Sequence, residues 1–157
     1  MYLTISTTHK PATDLGFLLH KRPGKLHSIS LSFGEVHIFY PEATEDRCTA
    51  AELLDIDPVE LVRKPSGPSG EGGLLDVNDR PYVCSSFTSV ALARAFGTAF
   101  GGRSKARQAL TDMEIPLESH IPAIPCRGGD AFLRQLFEPL GYQVQATRHP
   151  LDEQFPE

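Results

Sequence analysis

The sequence predicts an α+β fold, a small antiparallel sheet with a central hairpin covered by two to four helices. Three observations carry that reading. Apolar and polar residues alternate with strand periodicity on both sides of Gly34-Glu35. Tyr2 to Thr7 is short and rich in β-branched residues. Two later segments, 86–100 and 130–140, repeat their apolar residues at helical spacing.

In chain order, Leu3 and Ile5 alternate against Tyr2, Thr4 and Ser6, which predicts a first strand. Thr13 to Arg22 places Leu15, Leu18, Leu19 and Arg22 on one helical face, with Thr13 as cap and Pro23-Gly24 as stop. Leu26 to Glu42 reads as a hairpin closed by Gly34-Glu35, because glycine at the first central position suits a type II′ turn. That turn would pair Phe33 with Val36, Leu31 with Ile38, Ile29 with Tyr40 and His27 with Glu42 on one face. Ser32 with His37 and Ser30 with Phe39 would share the other. Cys48 to Ile56 has helical propensity in its middle, yet Cys48, Ala50, Leu54 and Ile56 share one side of a strand, and strand is the preferred reading. Asp57-Pro58-Val59-Glu60 has the cap, proline and acid that open a short helix. Residues 65–73, rich in Pro, Ser and Gly, form a loop and the candidate boundary between two lobes.

The helix from Ser85 or Ser86 to about Phe100 is apolar nearly all round, which predicts burial, and Gly101-Gly102 ends it. After Gly128-Gly129-Asp130 a second helix carries Phe132, Leu133, Leu136, Phe137 and Leu140 on one stripe until Pro139 to Gly141 break it. Both helices are expected to cover the sheet. Tyr142 to Ala146 alternates as a final strand.

Composition narrows the function. The 157 residues carry a formal charge of −5, and 40% are hydrophobic, which suits one globular domain and excludes a uniformly basic nucleic-acid binder. Cys48, Cys84 and Cys126 form no CxxC pair, so reduced thiols in a cytoplasmic setting are expected. No segment reads as a secretory leader or membrane span. The stretch 67–73 lacks the lysine and hydroxyl residue of a phosphate loop, and no GxGxxG opens a helix, so no cofactor is called for. The six histidines have neither HxxxH nor HxH spacing, and the hairpin register puts His27 and His37 on opposite faces, so no metal site is expected. Cys126, beside Arg127 and before a helix, has some marks of an activated thiol, but no histidine follows it closely and it reads as a turn-packing residue. Catalytic residues are therefore not assigned. Arg103, Lys105 and Arg107 form the densest basic cluster. They could meet RNA phosphates or an acidic protein surface, or simply solvate the end of the preceding helix. Phe39, on the polar hairpin face, is either a partner anchor or covered by a second layer, the latter being preferred.

Five stretches in order, Met1 to Thr8 (MYLTISTT), Ser32 to Ala43 (SFGEVHIFYPEA), Arg80 to Phe87 (RPYVCSSF), Gly101 to Lys105 (GGRSK) and Ile124 to Gly129 (IPCRGG), are similar to the N-terminal region of the bacterial Hen-type RNA 3′-terminal ribose 2′-O-methyltransferase. The resemblance spans essentially all of 1–157. It implies an N-terminal module that binds the ligase part of a bacterial polynucleotide kinase-phosphatase-ligase and stimulates its adenylylation, with any RNA contact indirect. It also implies a parent methyltransferase using S-adenosylmethionine and a divalent metal, whose catalytic half has no counterpart here. On that view residues 1–157 are a non-enzymatic fragment. The alternative is an RNA-end-binding module using the basic patch.

Overall fold

A computed structural model describes residues 1–58, 83–104 and 106–149, the side chains of 83–85 excepted. The chain divides into two units, Met1–Pro122 and Ala123–Glu157. The first contains a five-stranded antiparallel sheet in the order β2-β3-β4-β1-β5, formed by β1 (Tyr2–Thr7), β2 (His27–Leu31), β3 (Gly34–Ala43), β4 (Cys48–Ile56) and β5 (Leu117–His120). With it are α1 (Leu15–Leu18), α2 (Val83–Phe100) and α3 (Gln108–Thr111). The second unit holds α4 (Gly129–Phe137) followed by a 3-10 turn at Glu138–Leu140. The α+β class is as the sequence predicts.

The sheet has one covered face. Val36 and Ile38 of β3, Cys48, Ala50 and Leu54 of β4, and Ile5 of β1 meet Ala91, Ala95 and Phe96 of α2 and Leu15 and Leu19 at α1. Val36, Ile38 and Cys48 are fully buried. Each such aliphatic side chain contributes roughly 1.5–3 kcal/mol through removal from water. The ambiguous segment 48–56 is a strand because its even-numbered residues complete this face between β1 and β3, a tertiary gain that outweighs its modest helical propensity.

The hairpin faces are as predicted, but its turn is not. Ile29 pairs with Val36 and His27 with Ile38, so the chain reverses at Ser32-Phe33. The register has moved four residues along β3, an even number, which keeps the side chains up to Phe39 on their expected faces and His27 and His37 on opposite sides, whereas Glu42, expected on the face of His27, lies opposite Thr49 on the other one. Two tertiary contacts override the local turn signal. Phe33 is buried and stacks on Phe87 of α2, ring centroids 4.3 Å apart. Gly34, at φ +152°, lies against β4, and a Cβ there would collide with the Asp55 carbonyl oxygen. Its glycine serves close backbone approach and not the turn.

Pro41 is accommodated similarly. The β3–β4 register shifts by one residue between Phe39 and Glu42, a bulge that spares the ladder the N–H that proline lacks.

Other expectations need correction. The helix predicted over 13–22 is a 3-10 turn at Ala12–Asp14 and a single α-turn. It stops because His20 takes a left-handed φ of 54° and Lys21 turns its amide back to the Gly16 carbonyl. Tyr142 to Ala146 belongs to no strand, for alternation alone supplies no ladder partner. β5 and α3 were not foreseen: β5 is four exposed residues following Pro116, and α3 is one turn. The helix at 130–140 exists, as α4 and its 3-10 extension, but it lies in the second unit, not the unit that holds the sheet. The short helix opening at 57–60 and the candidate boundary at 65–73 fall largely or wholly outside the described residues; the division observed follows Pro122.

Candidate binding surfaces

The turn between α2 and α3 holds the predicted basic cluster. α2 ends where Gly102, at φ +61°, donates its N–H to the Ala99 carbonyl, the left-handed cap that glycine favours. Ser104 is buried: its hydroxyl donates to the Phe17 carbonyl and accepts from the Arg107 N–H, while its own N–H donates to Gln108 Oε1. These bonds brace the turn that precedes α3 and fix where the neighbouring side chains emerge. Arg103 is exposed. Arg107 is partly spoken for, its NH1 lying 3.7 Å from Asp14 Oδ2 and its guanidinium 5.4 Å from the Phe17 ring centroid. Lys105 lies outside the described residues.

Sequence reading missed the residues that join this cluster from α1. His20 Nε2 donates to the Arg103 carbonyl at 2.6 Å, and Lys21 Nζ to the Ala95 carbonyl at 2.7 Å. Burial lowers the Lys21 pKa, and the Tyr40 hydroxyl, raised by burial and then by Cys48, donates to the Lys21 carbonyl. Arg22 and Lys25 follow, exposed. The His20 and Lys21 contacts bridge 83 and 74 positions of sequence, so no local pattern signals them.

Glu52 is the other unforeseen residue. It sits on the helix-covered side of β4, between Leu3 and Ile38, and is 4% exposed. Among the described residues its Oε2 has no hydrogen-bond partner. Desolvation raises its pKa to about 7, against a smaller opposing pull from the Met1 ammonium. A buried carboxyl with an unpartnered oxygen costs stability when ionised.

A cleft of about 200 Å³ is lined by Ser6, Thr7, Arg47 and Glu118, but Ser6 bonds Thr49, Thr7 donates to the Pro116 carbonyl, and Arg47 pairs with Glu118. The Cys126 thiol, half-buried, donates to the Gly129 carbonyl at 3.4 Å within a turn, the packing role expected for it. Among the described residues no group of three His, Cys, Asp or Glu side chains could hold a metal ion, so a divalent metal does not fit them. No described helix is long and apolar enough to cross a membrane.

Two apolar surfaces stand out instead. On the sheet face away from the helices, Tyr2 pairs with Leu53, and Phe39 lies half-buried opposite Ala51. In the second unit, Phe132, Leu136, Phe137 and Leu140 of the α4 stripe are 43–71% exposed, and among this unit's described residues none is buried. Residues 123–149, none of them buried, cannot hold together by burial of their own side chains alone.

Exposed apolar faces among the described residues are the features that a partner would cover. The chain belongs to the RNA repair, ligase-Pnkp-associating, region of Hen1, whose family model matches residues 1–157. That region is distinct from the methyltransferase domain itself. No curated protein sequence matches the chain.

Proposed function

We propose that residues 1–157 bind the ligase part of a bacterial polynucleotide kinase-phosphatase-ligase in the cytosol and stimulate its adenylylation. The parent protein is then an RNA 2′-O-methyltransferase whose S-adenosylmethionine and metal are bound elsewhere. The observation that carries the reading is the family match over the whole chain, which includes the second unit. The free thiols of Cys48 and Cys126 are in keeping with a reducing compartment.

Activation through binding needs only that the module prefer the adenylylation-competent conformation of the ligase over its resting one. The α4 stripe is the anchor in this reading. Large apolar and aromatic side chains repeated along one helical face suit a groove on a folded partner, and the ligase named by the family is the partner available to cover them.

Titrating the chain against the isolated ligase part is expected to give a stable complex by gel filtration and calorimetry. The double variant Phe132→Ala/Leu136→Ala should weaken it by tenfold or more, about 1.4 kcal/mol or greater, as removal of central anchors does. An unchanged affinity would remove the stripe from the interface, and absence of any complex would remove the reading itself.

A further inference from the structure

We infer that the face built by α1, the turn after it and the α2–α3 turn binds single-stranded RNA, with Arg22 and Arg103 on phosphates and the exposed rings of Phe17 and Phe100 against bases. The inference stands apart from the ligase reading and extends the three-residue basic run legible in sequence.

Contacts within the first unit assemble the face. The His20–Arg103 and Ser104–Phe17 hydrogen bonds and the Lys21–Ala95 bond draw Phe17, His20 and Lys21 against α2 and the turn after it, with Arg22 next in the chain. Phe100, 69% exposed, closes α2 three residues before Arg103, and Phe17 is 44% exposed beneath the Arg107 guanidinium. Arg22 and Arg103 are exposed and neither makes a side-chain ion pair among the described residues. The acids nearby are already engaged: Asp14 is buried with Arg107 beside it, and Asp112 accepts from Gln108. In a chain of net charge −5 this is a local reversal of sign.

The interleaving of rings and cations selects the ligand. Phosphates alone would need only the arginines. Exposed aromatic faces among them suit splayed bases, which stack on phenylalanine while the backbone follows the positive charges. A paired RNA helix hides its base faces and offers nothing to these rings. An acidic protein surface would use the arginines and leave Phe100 in water. RNA repair, the setting in the family description, supplies a broken strand with unpaired ends.

The test uses the whole chain without ligase and a fluorescein-labelled single-stranded RNA of about twelve nucleotides, followed by anisotropy between about 50 and 200 mM salt. Wild type should bind at the low end, with affinity falling steeply with salt. Arg22→Ala/Arg103→Ala should bind more weakly, with a log–log salt slope shallower by about 1.4, since each phosphate no longer neutralised reduces it by about 0.7. Phe100→Ala should weaken binding about tenfold while leaving that slope unchanged, because stacking releases no counterions. Both changes are at exposed positions and should leave the thermal midpoint where it was. No wild-type binding at low salt, equal affinity for a blunt duplex, or variants that bind like wild type would each overturn the inference. Failure of the arginine variant to form the ligase complex, with RNA affinity intact, would also overturn it and would assign the face to a protein partner.

Discussion

Replacing Gly34 with alanine is expected to lower the unfolding free energy by about 2–4 kcal/mol, one of the largest single-methyl effects available in this fold. The added Cβ would run into the Asp55 carbonyl oxygen and crowd the Ile56 backbone, atoms that belong to β4 and cannot rotate away. Relief requires β3 to part from β4 at the point where the ladder begins, at Gly34 and Ile56. Separation there also withdraws Phe33 from Phe87, so the cost spreads into the packing between sheet and α2. Urea denaturation measures it through the midpoint at constant slope. Gly24, at φ +80° with open space around it, is the control for backbone strain without collision, and its alanine variant should lose distinctly less.

The second large effect is a gain. Glu52→Gln is expected to stabilise the fold by roughly 1–3 kcal/mol at pH 8 and by little at pH 4.5–5. The sign follows from the direction of the shift. The buried carboxyl has a folded pKa of about 7, above its ordinary value of 4.5. Between those values the folded state holds a proton that the unfolded chain has released, so stability falls as pH rises through that window and stays at the lower level above it. Glutamine resembles the neutral acid at every pH and removes the loss. Denaturation of both proteins at pH 5 and pH 8 isolates this carboxyl, because the other titrating groups are common to the pair. A difference that is the same at both pH values would mean that Glu52 is ionised throughout in the fold.

What could be read in advance divides by the range of the interaction responsible. The faces of the hairpin follow from period-two alternation, a local property, and they survived a register change of four residues because that change was even. The turn position did not follow, since Ser32-Phe33 wins through the stack of Phe33 on Phe87 in a helix much later in the chain. α4 was legible from its stripe, but its place in a second unit was not, because an amphipathic pattern announces an apolar face without saying what covers it. β5 carries no signal beyond four residues of mixed character, and pairs because β1 offers an open edge.

The candidate surfaces follow the same rule. Arg103 and Arg107 were visible as near neighbours in sequence, while Phe17 and His20 join them only through the folded chain. Glu52 escaped notice because a glutamate in a strand is ordinarily solvated; its burial comes from the strands on either side, β1 and β3. The family resemblance rests on runs of residues rather than on physics, and it pointed to the ligase partner that no surface feature could name.

The central claim is that this module raises ligase adenylylation by binding, and transfer of radiolabelled AMP from ATP to the ligase measures it most directly. With ligase limiting, addition of the chain should speed formation of the ligase–AMP adduct and saturate at the stoichiometry of the complex. The Phe132→Ala/Leu136→Ala variant should reach the same plateau only at about tenfold higher concentration. An adenylylation rate unchanged by saturating chain, in a mixture where the complex is present by gel filtration, would contradict the claim and leave association without activation.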